Sequence, residues 1–246
     1  MVRLAASVLK PTLPEFAGQY SAAPWESAVW PAMCYKLNKD LRVIIVRQLV
    51  FLVGLQLAAT TGRVVDFDGF PVGATPPGWT VSANNPGQPP PWEIRKDQSA
   101  PTQPYVLAQV SGASSPLATL DGVMLRDGEI SVRLKPGSGS GGIVWRLRDP
   151  RNYYLVRANA ADQTVGVFRV MDGRTTPILA PVKHEIPGNA WTILKVSARG
   201  NRFQVYVDHR RIVDGQDASF TAAGKVGLCT LAESAIYFDD FRVNPR

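Results

Sequence analysis

The stretch "GGIVWRLRDPRNYYLVRANA" (141–160) sets Arg146, Arg148 and Arg157 among Trp145, Tyr153 and Tyr154, with Asn159 two residues past the last arginine. A guanidinium presents a planar fork of donors, and a carboxamide adds both a donor and an acceptor. Together they suit a ligand that shows vicinal hydroxyls. An aromatic ring beside them suits the apolar C–H face of the same ligand. Tyr153, Arg157 and Asn159 on one strand, Arg146 on its neighbour, and Trp92 of "PPPWEIRK" (89–96) as a stacking ring at the rim make up a candidate ligand-binding set. The same arginines also suit a solvated outer face on which their aliphatic stems lie over the sheet.

Other chemistry is sparse. The chain has two histidines, His184 and His209, and "HEIPG" (184–188) lacks the second histidine of a His-Glu-x-x-His zinc motif. No Gly-x-Ser-x-Gly elbow supports a nucleophilic serine. "GSGSGG" (137–142) joins strands and opens no helix, so it reads as a loop and not a phosphate cradle. The cysteines are Cys34 and Cys229. With a leader removed, Cys229 stands alone, which excludes a disulfide framework and a cysteine zinc site. It reads as a small buried apolar residue. "YFDDFRV" (237–243) places Asp239 beside Asp240 near where "DFDG" (66–69) begins the domain. Adjoining terminal strands can hold a structural calcium through such oxygens. No full ligand set is visible, so an ordinary strand end is the preferred reading and no cofactor or metal is expected.

These residues need strands to position them. From residue 63 onward the chain is a series of short β-branched and aromatic runs, each bounded by Gly, Pro, Asn or Asp. No segment there sustains helical periodicity over three turns. "MDGR" (171–174), "ARGNR" (198–202) and "DHRR" (208–211) supply hairpin turns. In "AWTILKVSARGNRFQVYVDHRRI", Trp191, Ile193, Lys195 and Ser197 alternate with Thr192, Leu194, Val196 and Ala198. Phe203, Val205 and Val207 alternate with Gln204, Tyr206 and Asp208, so each strand has one face for the core and one for water. About ten such strands point to an antiparallel sandwich of two sheets. A turn at "DPRN" (149–152) pairs Leu147 with Tyr154, Trp145 with Val156 and Ile143 with Ala158 as the apolar face. The opposite face then carries Arg146, Arg148, Tyr153, Arg157 and Asn159.

Of the 246 residues, 45% are hydrophobic and 19% charged, enough for a packed core. The net charge is +7. Residues 1–59 hold six Lys/Arg against three Asp/Glu, and the remainder 21 against 17. Basic runs do not exceed "HRR" (209–211), so a nucleic-acid footprint is missing. "KLNKDLRVIIVRQLVFLVGLQLAATTG" (36–62) has the parts of a secretory leader: basic residues, an apolar run ending at Leu57, then Ala58 and Ala59. The run is too short and interrupted for a stable membrane span. Residues 33–62 are thus expected to be a signal with Met33 as the natural start. Residues 1–32 are expected to be disordered or an over-extended reading frame, and 63–246 one β-sandwich domain.

The hairpin, followed by "WTILKV", "FQVYVDHRRI", "GKVGLCT" and "IYFDDFRV", resembles concanavalin A-like, laminin-G-like jelly-roll domains. The nearest group is the bacterial secreted domains classed as 3-keto-disaccharide hydrolases. The likeness runs in order over about 64–244. It implies an all-β jelly-roll sandwich and a carbohydrate context, without establishing chemistry. Glucanases of the same fold class carry Glu-x-Asp-x-Glu on one strand. None of Glu93, Glu129, Glu185 and Glu233 is followed by that spacing.

Three readings remain: a secreted or periplasmic module that binds carbohydrate or a glycan-bearing surface, a hydrolase or lyase acting on 3-keto-glycosides, and a structural envelope domain. The first accords with the missing carboxylate motif and the mild charge. The mature chain is expected to begin near residues 59–62, just after Ala58 and Ala59. N-terminal sequencing of the exported protein checks this, and a mature chain that keeps Leu49–Leu57 overturns it.

Overall fold

A computed structural model describes residues 62–83, 91–110, 115–231 and 235–246. The stretch 1–32 and, apart from Gly62, the leader expected at 33–62 lie outside the described residues. In chain order the strands are β1 (Arg63–Val65), β2 (Trp79–Ala83), β3 (Trp92–Lys96), β4 (Tyr105–Gln109), β5 (Pro116–Leu125) and β6 (Gly128–Lys135). Then come β7 (Ser140–Asp149), β8 (Asn152–Asn159), β9 (Thr164–Met171), β10 (Arg174–Pro177) and β11 (Val182–Lys183). The last are β12 (Thr192–Arg199), β13 (Arg202–Val207), β14 (Arg210–Gln216), β15 (Gly224–Leu231) and β16 (Ile236–Pro245).

They form two antiparallel sheets. The first runs β14-β13-β12-β6-β16-β4-β3, with β1 also on β16. The second runs β10-β9-β8-β7-β15-β5-β2, with β11 also on β9. Alternation builds the layers: in β6 and β12 every second residue is buried, as period-two strands on a core require. Both hairpins read from sequence pair as expected, Arg199 with Arg202 and Met171 with Arg174. The turn after β13 uses positive φ at Asp208 and His209, as a two-residue hairpin loop requires.

Aromatic rings bind the layers together. Trp145 of the second sheet lies 6.0 Å from Phe203 of the first and 5.3 Å from Tyr154. At another point Trp79 meets Phe241 edge-on at 5.3 Å. The Tyr154 hydroxyl is satisfied inside: it donates to Asp217 Oδ1 (2.6 Å) and accepts from Phe220 N (2.9 Å). Burial, with the Asp217 carboxylate beside it, pushes this phenol up to about 12.

The β7–β8 register differs from the one the sequence suggests. Trp145 pairs with Tyr154, not Val156, and Ile143 pairs with Val156, not Ala158. The turn lies at the expected "DPRN", with Asp149 opposite Asn152. Between that pair and Trp145–Tyr154, β7 takes four residue steps to two in β8. The irregularity contains Arg146 at φ 49°. A bulge displaces one strand without altering the residue types along it, so pairing counted back from the turn slips by two. Because the slip is even, Trp145 and Ile143 keep the core face.

Trp145 is 1% exposed. Trp145→Ala is expected to cost about 3–5 kcal/mol, measured by chemical denaturation, and near-native stability would place this ring outside the core.

Candidate functional site

The structure divides the residues singled out in the sequence. Tyr153, Arg157 and Asn159 do alternate along the outer face of β8. That face is apolar: Leu117, Val144, Leu147, Tyr153, Leu155, Val170 and Cys229 form a buried cluster on the second sheet. Tyr153 is 1% exposed, and burial raises its phenol above the usual range. Burial likewise pushes the Cys229 thiol up to about 12, in keeping with the inert, packed cysteine expected. Arg157 stacks its guanidinium 4.5 Å from the Phe168 ring centre. It is flanked across the ladder by Gly142 and Gly166. Asn159 folds onto its own turn, accepting from Ala161 N and Asp162 N and donating to Asp162 Oδ2.

The other two members stand elsewhere. Trp92 does not stand at a rim; it is 1% exposed and packs on Phe238 at 5.6 Å. Alternation in β3 sends Trp92 and Ile94 inward while Glu93 and Arg95 face out. Arg146 is 3% exposed. Its bulge turns the guanidinium inward, where it donates to Phe220 O (2.7 Å), Gly200 O (2.6 Å) and Arg126 O (2.9 and 3.1 Å). Those bonds make Arg146 a structural tie. Arg148, at the end of the same hairpin, lies 5.0 Å over the Phe220 ring.

A different surface gathers the polar chemistry. The outer face of the first sheet carries a groove of about 320 Å³. It is built from cross-strand rows. Tyr206, Lys195, Ser131 and Arg242 stand in one row across β13, β12, β6 and β16. Ile193, Arg133 and Asp239 form the next. His209 closes the rim, and its hairpin is fixed to β12 because Asp208 Oδ1 accepts from Ile193 N (2.8 Å) and Asp208 N donates to Ile193 O (2.9 Å).

The floor comes from a second irregularity, in β16 between Asp239 and Arg242, with Asp240 at φ 52°. Asp239 is fully buried and accepts from Thr102 N and Oγ1 and from Asp240 N. Burial raises its carboxyl above the ordinary value, against the pull of those bonds. Asp240 instead meets arginines in the groove. Its Oδ1 accepts from Arg242 Nε (2.8 Å) and Nη2 (2.7 Å), and its Oδ2 lies 3.4 Å from Arg133 Nε. Lys195 leans over the Tyr206 ring at 4.5 Å.

One row further, Lys135 stands opposite Tyr237 with its ammonium 5.1 Å from that ring and 5.4 Å from Trp191. It donates to Asp97 Oδ2 and to Ser99 Oγ (2.9 Å), which also accepts from Trp191 Nε1 (3.2 Å). The face thus offers guanidinium forks, ammonium groups, hydroxyls, carboxylates held by those cations, and three rings within three adjacent rows. Such a surface can hydrogen-bond hydroxyls and stack on an apolar face. Sequence reasoning missed these residues as a site, although the alternation in 190–208 already places Trp191, Lys195 and Tyr206 on one face. Among the described residues no group of three or more His, Cys, Asp or Glu is arranged to hold a metal ion.

No family model matches the chain. Among curated proteins, levanase from Bacillus subtilis (strain 168) is 30% identical over 112 residues, 45% of this chain and 16% of the levanase. The chain therefore spans a small part of that relative. Among solved structures, the carbohydrate binding module CBM66 from Bacillus subtilis superposes with a TM-score of 0.54 at 22% identity, covering 71% of this chain and 99% of that module. The fold is a jelly-roll sandwich. The GH43 BlXynB protein from Bacillus licheniformis aligns with a TM-score of 0.52 at 16% identity, over 74% of this chain and 39% of its own. The sandwich expected from sequence is thus met, while the narrower group of secreted hydrolase domains has no matching family model behind it.

The Lys135–Asp97 contact gives the face a pH signature. Burial pushes the Asp97 carboxyl up, but the bonds from Lys135 and Ser99 outweigh it and hold the group below its ordinary 3.8. For a depressed carboxyl, the stabilisation is complete above the unfolded value and drains away as pH falls through the folded one. Asp97→Asn is expected to cost about 1 kcal/mol at pH 7 and nothing at a pH below both values. Urea unfolding across pH measures this, and an equal cost at both ends refutes the ion-pair account.

Proposed function

We propose that this chain is an exported carbohydrate-binding module that takes its ligand on the outer face of the first sheet. The observation that carries the reading is the groove itself. Tyr206 presents a ring beside Ser131, Arg133, Lys195, His209, Asp240 and Arg242, and a sugar needs that combination of an apolar platform and convergent polar groups. Trp191 and Tyr237 extend the platform by one cross-strand row. The similarity to CBM66 and to a stretch of levanase supports a carbohydrate ligand. The leader-like segment at 36–62 supports export, and among the described residues no helix is long and apolar enough to cross a membrane. The absence of a Glu-x-Asp-x-Glu strand favours binding over retaining glycoside hydrolysis.

Affinity electrophoresis and calorimetry of the full chain against a polysaccharide panel that includes levan test the proposal. At least one polysaccharide is expected to bind. Tyr206→Ala is expected to weaken it roughly tenfold, about 1.4 kcal/mol, with thermal unfolding shifted by only a few degrees. Binding to none of the panel, or full affinity in Tyr206→Ala, overturns the reading.

A further inference from the structure

We propose that the groove on the first sheet selects polysaccharides that carry carboxylates, such as uronate polymers. This rests on the carbohydrate-binding reading and goes beyond it to the charge of the ligand.

The groove is lined by Arg133, Lys195 and Arg242 and by one carboxylate, Asp240. Asp240 is engaged by both arginines, closely by Arg242 and at 3.4 Å by Arg133. Lys195 turns to Glu129 at 3.5 Å, but that carboxylate already holds Arg246 at 2.7 Å. Four cations therefore share two carboxylates. Asp239, opposite Arg133, is fully buried and held by Thr102, and even with it counted the cations on this strip outnumber the carboxylates. The cationic side chains remain open, with Arg133 40%, Arg242 49% and Lys195 30% exposed. Asp240, at 9%, is sunk beneath them.

That depth difference matters. The carboxylate braces the arginines from below, and among the described residues no other carboxylate forms an ion pair with either of them. Two guanidinium groups on neighbouring strands match carboxylates on a polymer, because arginine recognises a carboxylate bidentately through its planar fork. Beside them Ser131 offers a hydroxyl, and Tyr206, two strands away on β13, offers a ring face. A surplus of positive charge lining a groove also concentrates a polyanion before it docks. A nucleic acid is the other polyanion to consider. Residues 60–246 carry a net charge of only +4 and no basic run longer than "HRR", so the sugar polymer is the occupant proposed.

The test uses a matched pair of probes, polygalacturonate and its fully methyl-esterified form, which keeps the sugar backbone and removes the charge. Full-length protein is expected to bind polygalacturonate at least tenfold more tightly than the ester and to lose most of that advantage between 50 and 500 mM salt, roughly in line with screening at short range. Arg242→Gln is expected to weaken polygalacturonate binding severalfold. Lys225→Gln, which removes the same unit of charge from β15 in the other sheet, is expected to leave it unchanged. Circular dichroism melts of both variants separate lost binding from lost fold, and Lys195→Met gives a second route if Arg242→Gln unfolds. Equal affinity for acid and ester, with binding retained, overturns the charge selection and leaves the carbohydrate reading standing. Equal weakening by Lys225→Gln, or matching affinity for a single-stranded DNA of the same charge density, reduces the effect to general polyelectrolyte attraction and overturns it. Binding to neither probe nor to any neutral polysaccharide removes the carbohydrate reading itself.

Discussion

A strand has only two faces, and in a two-layer sandwich one of them must be dry. Much in this protein follows from how strictly its strands obey that constraint and from two of the places where their ladders break. In β6 and β12 obedience is complete: buried and half-buried residues alternate without exception through Gly128–Lys135 and through Thr192–Ala198. The core then fills with Val, Ile, Leu and aromatic rings from both sheets, and the polar residues of the same strands have one direction left to point. The breaks, in β7 at Arg146 and in β16 at Asp239–Asp240, send charged groups to depths that alternation alone would deny them. One makes a buried tie and the other makes a floor.

The two outer faces diverge for the same reason. On the second sheet the outward positions of β7, β8 and β15 include Val144, Tyr153, Leu155 and Cys229, with Arg157 stacked on Phe168 and Asn159 folded onto its own turn. On the first sheet the corresponding positions are Ser131, Arg133, Lys135, Lys195 and Tyr206. A ligand rich in hydroxyls loses water when it docks and must recover those bonds from the protein. The first face carries more of the polar groups that could return them. The positive φ at Asp240, rare for a residue with a side chain, is kept where the local chemistry needs a carboxylate beneath two arginines.

The fold was legible in the sequence because strand periodicity, turn residues and the absence of helical spacing all report on local backbone preference. The position of Trp145 in the core and the hairpins at 171–174 and 199–202 came from that signal. The site was not legible, for a reason that Arg146 and Trp92 make concrete. Both are residue types that suit a sugar, and both are inside. Arg146 is inside because of a bulge, which leaves no mark in composition, and Trp92 because it shares the inward phase of Ile94, where its ring meets Phe238 from β16. Arg157 kept its predicted face, but whether a face is wet depends on the other strands of its sheet, and these bring Leu117, Val144 and Cys229. Tyr206 and Lys195 were correctly phased along the chain. Their meeting with Arg242 across β6 depends on the order of strands, which a linear reading does not contain.

The buried guanidinium of Arg146 has a mechanical meaning. Its three carbonyl partners belong to three different chain reversals: Arg126 between β5 and β6, Gly200 between β12 and β13, and Phe220 on the passage from β14 to β15. The first and last of these connections cross from one sheet to the other, and the arginine itself sits on the second sheet while Gly200 belongs to the first. Hydrophobic contact between layers is non-directional: interdigitated side chains oppose large slips, but buried apolar area is nearly indifferent to small ones. Directional bonds from a single rigid fork are not indifferent. They fix the phase of the two layers at one end, so a lateral pull on the first sheet is transmitted to the second as shear against several charge-assisted hydrogen bonds loaded together.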